Sequence, residues 1–253
     1  MKAKVVSRLG VAAVAIAMLL GWEYGVALTG VPDYLLPRPS IVFAKWWQTL
    51  TVQMEHLGVT AATTLIGLTL SSVVGVLLAL LVIYVKPLKA LVLPAFAAFN
   101  GIPKIAVAPL LITWFGLDSE PKILLAFLLG LFPVFVSSVT GLGEIEPDVL
   151  DLARLAGGSP WRIFRKVRLP NALPHLTDAL KVAFPLALAG SIVGEFIGGN
   201  RGIGFLILSG QFNLDTPLVF ACLLSVTLFT TLGIGAVILV EELFLGWRPS
   251  RRS

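Results

Sequence analysis

Residues 150–176 read LDLARLAGGSPWRIFRKVRLPNALPHL, a charged, amphipathic stretch within a chain that is otherwise strongly apolar. Its first part predicts a helix that ends at Gly157, because glycine readily adopts the left-handed backbone that terminates helices. Ser159 is a favoured N-cap for a second helix, which we expect over 161–168 with its end near Pro170. The stretch therefore predicts a helical hairpin with a glycine turn.

The composition places this hairpin in an integral membrane protein. Of the 253 residues, 57% are hydrophobic and only 13% are charged, and the mean hydropathy is +0.93, which is far too apolar for an ordinary soluble domain. The net charge of +5 is explained by basic residues that flank apolar runs. Because no nucleic-acid motif or aromatic-basic interleaving accompanies this charge, we do not expect a nucleic-acid partner.

The apolar runs predict about six membrane crossings in an all-α, polytopic helix bundle. The expected spans cover residues 9–28, 56–84, 102–117, 121–142, 180–199 and 216–245. Prolines and glycines interrupt the region before the third span, so we expect residues 88–100 to form a helix along the cytoplasmic interface, with the crossing helix starting near Ile102.

The distribution of basic residues predicts the orientation of these spans. Fifteen of the 19 Lys and Arg residues lie at the two ends of the chain, around 86–104 and along the hairpin with its flank. The alternate loops contain the remaining four, which are Arg38, Lys45, Lys122 and Arg201. Because cytoplasmic loops are enriched in Lys and Arg, both termini and the hairpin are expected in the cytoplasm.

Three regions are expected along the chain. Residues 1–30 form an N-terminal transmembrane helix, which we interpret as retained rather than as a cleaved signal peptide. Residues 31–55 form an external linker with an amphipathic helix over 41–54, capped by Ser40, whose tryptophans either lie at headgroup level or pack against the bundle. Residues 56–253 form the core, with the cytoplasmic loop at 143–177.

No catalytic or metal-binding pattern is recognisable in the sequence. There is no phosphate-binding loop, no nucleophile with a general base and no set of metal ligands at suitable spacing, so we expect no enzyme activity, and any ATP-derived energy must come from another subunit. The single cysteine and both histidines are interpreted as packing or interfacial residues. They are Cys222, His56 and His175.

Polar and small residues in the spans have two possible roles each. Gly190, Gly194 and Gly198 form a small-residue face for close helix packing or for a sliding surface along the transport pathway. Ser191, Gly194 and Glu195 are candidate pathway residues, because an intramembrane acid with polar neighbours favours a functional role. Lys104 could attract an anionic substrate, although a lysine that snorkels at the cytoplasmic interface is the favoured interpretation.

The hairpin resembles a known motif. An acid with small residues, then Gly157, nine further residues and the run Val167, Arg168, Leu169, Pro170 are similar to the EAA loop of type I membrane subunits of bacterial ATP-binding-cassette importers. Asp151 stands in place of the usual Glu, and Val167 in place of Ile. The wider string resembles the subfamily that imports nitrate, sulfonates, taurine or vitamin precursors.

This resemblance implies a permease for a small polar or anionic solute, in a homodimer with two cytoplasmic ATPase subunits and an external solute-binding protein. ATP and Mg²⁺ would be bound by the ATPases, and no cofactor by this chain. An ion-driven secondary transporter or channel is the alternative. The residues expected to couple this chain to the ATPases are Asp151, Ala153, Arg154, Gly157, Ser159, Trp161, Arg162, Phe164, Arg165 and Pro170.

Overall fold

A computed structural model describes residues 2–244 of the chain. Within this range the chain is helical, with no β-strand, as the sequence predicts. The end of the sixth expected span and the basic C-terminal residues lie outside the described residues. The helices are α1 (Lys2–Thr29), α2 (Pro39–Gln48), α3 (Leu50–Tyr84), α4 (Lys86–Asn100), α5 (Ala108–Phe115), α6 (Glu120–Gly143), α7 (Pro147–Leu155), α8 (Pro160–Ile163), α9 (Leu169–Gly198), α10 (Ile203–Phe212) and α11 (Thr216–Phe244).

Four continuous helices among the described residues are long and apolar enough to cross a membrane. They cover Leu50–Tyr84, Glu120–Gly143, Pro160–Gly198 and Thr216–Leu243. A fifth crossing is formed if α4 and α5 count together as one broken span. The apolar part of α1, Ala13–Thr29, is shorter, so the total of six crossings stays a prediction.

The third expected span differs from the sequence prediction. The helical segments on either side of residues 101–103 are bent by 80° relative to each other, and α5 has 8 residues, about 12 Å of helix. Phe96 of α4 packs 4.2 Å from Phe135 and 6.2 Å from Phe132 of α6 between ring centroids. The interfacial position of residues 88–100 and a crossing that starts near Ile102 therefore stay predictions.

The second arm of the hairpin also differs from the prediction. Helix does not end near Pro170 but continues from Pro160 to Gly198 over 39 residues. The π-helical segment Phe164–Arg168 joins α8 to α9, and the Leu169 N–H bonds the Phe164 carbonyl. This wider turn accommodates the proline that follows, since proline cannot donate the next backbone hydrogen bond. The second arm of the hairpin and the fifth expected span are therefore one continuous helix.

The linker helix is shorter than expected. It ends at Gln48, and the residues after Thr49 belong to α3. Ser40 does not cap it, because its backbone N–H and hydroxyl donate to Glu23 at 2.9 and 2.7 Å. The indole N–H of Trp46 donates to Ser225 Oγ at 2.8 Å, whereas Trp47 is 73% exposed. One tryptophan therefore packs against α11 and its neighbour faces outward.

The centre of the bundle is α6, which packs along both α3 and α9. Small residues permit this close approach. A Cβ atom on Gly190 would lie 2.6 Å from the Leu125 carbonyl oxygen, and one on Gly194 would lie 2.9 Å from Lys122 Cα. The small-residue face of α9 thus packs within the chain, which is one of the two roles that the sequence left open.

The sequence did not predict α10. Its ten residues are apolar but too short to cross a bilayer. Ile203, Leu206 and Ile207 are buried and pack with Leu57 of α3 and Cys222 of α11. A short apolar helix is thereby buried inside the protomer, directly after the glycine-rich turn at the end of α9.

Candidate functional site

The hairpin turns through two glycines that follow α7. Gly157 has a φ of +73°, the left-handed conformation that the sequence predicts. Its N–H donates to the Arg154 carbonyl and the Gly158 N–H donates to the Ala153 carbonyl, both at 3.0 Å. This pair of bonds is the Schellman arrangement, which satisfies the last carbonyls of a helix. The predicted glycine turn is confirmed.

The second arm begins with the predicted cap. Ser159 Oγ accepts a hydrogen bond from the Arg162 backbone N–H at 3.3 Å, as expected for an N-cap serine. The Arg162 guanidinium also donates to the Gly157 carbonyl at 3.3 Å. Arg162 therefore stabilises the turn itself, in addition to any contact that it makes with a partner.

The tip of the hairpin carries exposed apolar side chains. Leu155 is 87% exposed, Trp161 69% and Leu152 68%. The Trp161 ring stacks on Phe164 at 5.5 Å, and both rings line an apolar groove of about 320 Å³ beside Tyr84. Outside a membrane span, such an apolar patch is typical of a protein contact.

The base of the hairpin is bonded to the end of α6. Arg168 Nη1 donates to the Leu142 carbonyl at 2.5 Å, and Asn171 Nδ2 donates to the Gly141 carbonyl at 2.8 Å. The Arg168 guanidinium also lies 5.8 Å from the Tyr84 ring centroid. The sequence alone did not predict either of these contacts with the end of α6. The one clue to these contacts is that both side chains carry N–H donors and lie opposite the last carbonyls of a helix, which need hydrogen-bond partners.

The remaining residues that we expect to couple this chain to the ATPases lie near the turn and the base of the hairpin. Asp151 and Arg154 form an exposed ion pair at 2.7 Å. Phe164 is partly buried against a cluster that includes Leu142 and Ala172, whereas Arg165 is exposed. Ala153 supplies a carbonyl to the turn, and Pro170 lies near the start of α9. Their contact with an ATPase stays a prediction.

The three pathway candidates are buried inside the protomer. Ser191 Oγ lies 2.5 Å from Thr63 Oγ1 of α3, and Gly194 packs against Lys122 of α6. Glu195 is fully buried. The structure therefore gives all three a part in helix packing, and their role in a pathway stays a prediction.

Glu195 joins α9 to both α3 and α10. Its Oε1 accepts from the Thr60 hydroxyl and its Oε2 from the Gly204 N–H, each at 2.8 Å. Thr60 Oγ1 in turn accepts from the Ile203 N–H at 2.8 Å. Two of the first N–H groups of α10 thus find side-chain acceptors, and the acid lies near the positive end of that helix.

Gly202 makes room for this cluster. Its φ is +115°, and a Cβ atom there would lie 2.1 Å from Glu195 Cδ. His56 Nδ1 lies 3.1 Å from the Gly202 nitrogen. The sequence did not identify Thr60 or Gly202 as partners of Glu195, because a hydrogen bond across 135 residues leaves no local pattern.

Lys104 lies at the break between α4 and α5. Its Nζ donates to Asn100 Oδ1 at 2.6 Å. Both side chains line a small crevice with Leu128, Leu131 and Phe132, residues in the middle of α6. Its position relative to the cytoplasmic interface stays a prediction.

Comparison with known families agrees with this architecture. Residues 71–244 match the family described as binding-protein-dependent transport system inner membrane component. The match begins within α3 and includes the hairpin, α9 and α11. It covers well over half of the chain.

Similar curated proteins are permeases. The chain is 33% identical over 244 residues to the riboflavin transport system permease protein of Chloroflexus aurantiacus, covering 96% of this chain and 91% of that protein. It is also 33% identical over 235 residues to the formylaminopyrimidine transport permease protein of Halalkalibacterium halodurans, covering 92% and 94%. A putative aliphatic sulfonates transport permease protein of Escherichia coli is 29% identical over 232 residues, covering 90% and 88%.

The fold is similar to that of a solved transporter. A chain of the MetNI methionine ABC transporter in an inward-facing conformation matches with a TM-score of 0.69 and 19% identity, covering 77% of this chain and 97% of that chain. The ion-driven alternative is set aside by the family match. The chain therefore belongs to the binding-protein-dependent transport system inner membrane components and is the membrane-spanning permease subunit of an ABC importer.

Proposed function

We propose that two copies of this chain assemble with two cytoplasmic ATPase subunits and import a small polar or anionic solute from an external solute-binding protein. The ATPases bind ATP and Mg²⁺, and this chain binds neither. Both termini and the hairpin lie in the cytoplasm. The excess of basic residues in these segments supports this orientation, because cytoplasmic loops are enriched in Lys and Arg. The solute classes are nitrate, sulfonates, taurine and vitamin precursors, which accord with the relatives named for riboflavin, formylaminopyrimidine and aliphatic sulfonates.

The exposed apolar tip of the hairpin carries this proposal. Leu155 and Trp161 lie on either side of the Gly157 turn and are largely exposed. Burial of such side chains in a partner stabilises association, and apolar anchors in a groove are where binding energy concentrates. The basic residues around them, such as Arg165, supply the polar rim.

The helix geometry supports a mechanical role for the same hairpin. Because Pro160–Gly198 is one continuous helix, a displacement of the tip is carried along the second arm into α9. The bond from Arg168 to Leu142 transmits it to the end of α6 as well. We propose that closure of the ATPases draws two such hairpins together and opens the pathway to the outside.

A co-purification experiment tests the docking. Leu155→Asp places a charge at an 87% exposed position, so the fold of the permease loses little packing. The apolar contact of Leu155 with the ATPase, in contrast, is lost. We expect the ATPase to dissociate from the purified permease and solute uptake into vesicles to fall by about tenfold or more. Lys166→Gln, at an exposed position outside the expected coupling residues, is the matched control and should retain most of the ATPase. Full assembly of the Leu155→Asp variant would contradict the proposal.

A further inference from the structure

A lysine is buried near the start of α6 without a partner for its charge. The sequence assigned Lys122 to a loop between two spans, but only 4% of the residue is exposed. Across residues 2–244, its ammonium group forms no hydrogen bond and no ion pair. Lys45 and Lys181, by contrast, pair with Asp215 and Glu241. Because burial of an unpaired charge is costly, the position of Lys122 favours a functional reason.

A buried carboxylate of opposite charge lies beside this lysine on α9. Lys122 packs against Gly194, since a Cβ atom on that glycine would lie 2.9 Å from Lys122 Cα and 3.1 Å from its Cγ. The next residue is Glu195, which is fully buried and interacts electrostatically with Lys122. The two side chains are therefore neighbours on packed helices, although they form no ion pair in this conformation.

The carboxylate of Glu195 is turned towards α10 and α3 instead. Its Oε2 accepts from the Gly204 N–H and its Oε1 from the Thr60 hydroxyl. The bond to Gly204 ties the first turn of α10 to α9. The neighbouring Ile203 N–H donates to Thr60 of α3, so α10 would stay bonded to α3 if Glu195 turned away.

We propose that Lys122 and Glu195 form an ion pair in the second conformation of the transport cycle, in which Glu195 turns from α10 towards α6. The pair neutralises both buried charges, and little water screens it, so its formation offsets the lost bond to Gly204. The first turn of α10 is then held by α3 and released from α9. This inference rests on the proposed ATP-driven cycle and adds a contact that differs between its two states.

Crosslinking tests whether the two side chains meet. Dicyclohexylcarbodiimide is an apolar reagent that joins a carboxylate to an adjacent amine as an amide, and mass spectrometry identifies the joined peptides. In the permease assembled with its ATPases, we expect about tenfold more Lys122–Glu195 crosslink when ATP and vanadate trap the ATPases closed than without nucleotide. The crosslink between Lys181 and Glu241, which already form an ion pair, is the matched control and should be equal in both states.

Hydrogen exchange resolved at single amides tests the release of α10. On trapping, the Gly204 amide should exchange about tenfold faster, whereas the Ile203 amide should keep its rate because its acceptor is on α3. Lys122→Met should abolish this acceleration, and Lys122→Arg should retain it. Lys89→Met, which removes a charge from an exposed position of α4, should behave like the unaltered protein.

Two results would overturn the ion pair. One is a Lys122–Glu195 crosslink that is absent, or equally abundant, in both states, and the other is equal acceleration at Gly204 in Lys122→Met and the unaltered protein. A permease that assembles with no ATPase would instead contradict the proposed function. Prolonged crosslinking of that permease alone would still decide the pair, because a minor conformation is populated without a ligand.

Discussion

The Arg168 guanidinium donates a hydrogen bond to the Leu142 backbone carbonyl, across the 26 positions that separate the two residues. This bond closes the base of the hairpin, since Leu142 lies at the end of α6 and Arg168 directly before α9. The two most central helices of the bundle are therefore joined at the point where the hairpin leaves it. A force on the tip acts on both helices together.

We predict that Arg168→Ala loosens the hairpin without unfolding the bundle. A hydrogen bond from a charged group contributes about 1.5–3 kcal/mol, so hydrogen exchange across 147–163 should accelerate by about tenfold or more. Transport per ATP hydrolysed should fall in parallel. Lys166→Ala, at an exposed position of the same segment and outside the expected coupling residues, is the control. Unchanged exchange in Arg168→Ala would show that the bond does not hold the hairpin.

Gly157→Val should uncouple ATP hydrolysis from transport. No atom lies within 4 Å of the site where a Cβ would project, so the effect arises from the left-handed backbone, which costs a β-branched residue about 1–2 kcal/mol. Gly157→Asn should be tolerated better, since asparagine adopts this conformation more readily. The measurement is the ratio of solute imported to ATP hydrolysed in vesicles. Equal ratios in the two variants would contradict the backbone explanation.

The Glu195 cluster predicts different effects for two substitutions. Glu195→Ala leaves the Thr60 hydroxyl and the Gly204 N–H without their acceptor, and each lost buried bond costs about 1–3 kcal/mol. Glu195→Gln keeps one oxygen for Gly204 and offers its NH₂ group to Thr60, so it should unfold near the temperature of the unaltered protein. Thermal unfolding in detergent compares them. If Glu195→Gln were the less stable variant, the carboxylate charge itself would be required.

Gly190→Ala should disrupt the packing of α9 on α6. Its added methyl group would lie 2.6 Å from the Leu125 carbonyl oxygen, closer than a van der Waals contact allows, and overpacking costs about 1–3 kcal/mol. Gly235→Ala of α11 is a matched control, because nothing lies within 4 Å of its Cβ position. The yield of monodisperse protein and its unfolding temperature should fall in the first variant only.

Features that depend on neighbouring residues were predictable from the sequence. The turn at Gly157 and the cap at Ser159 follow from backbone preferences that act over a few residues. The long apolar runs of α3, α6 and α11 were equally clear, because a bilayer demands a minimum length. Local rules failed at Pro170, where the π-helical segment lets the helix continue through a residue that normally ends one.

Contacts between distant segments were decided only by the tertiary structure. Phe96 of α4 packs against Phe135 of α6, and the partners of Glu195 lie on two other helices. By itself, the sequence determined an apolar, helical chain with a charged hairpin that turns at a glycine, because hydropathy and turn preferences depend on neighbouring residues only. The fold decided that Glu195 lies buried inside a helix junction and that Lys104 bonds Asn100 at a helix break, because burial depends on which helix packs beside which.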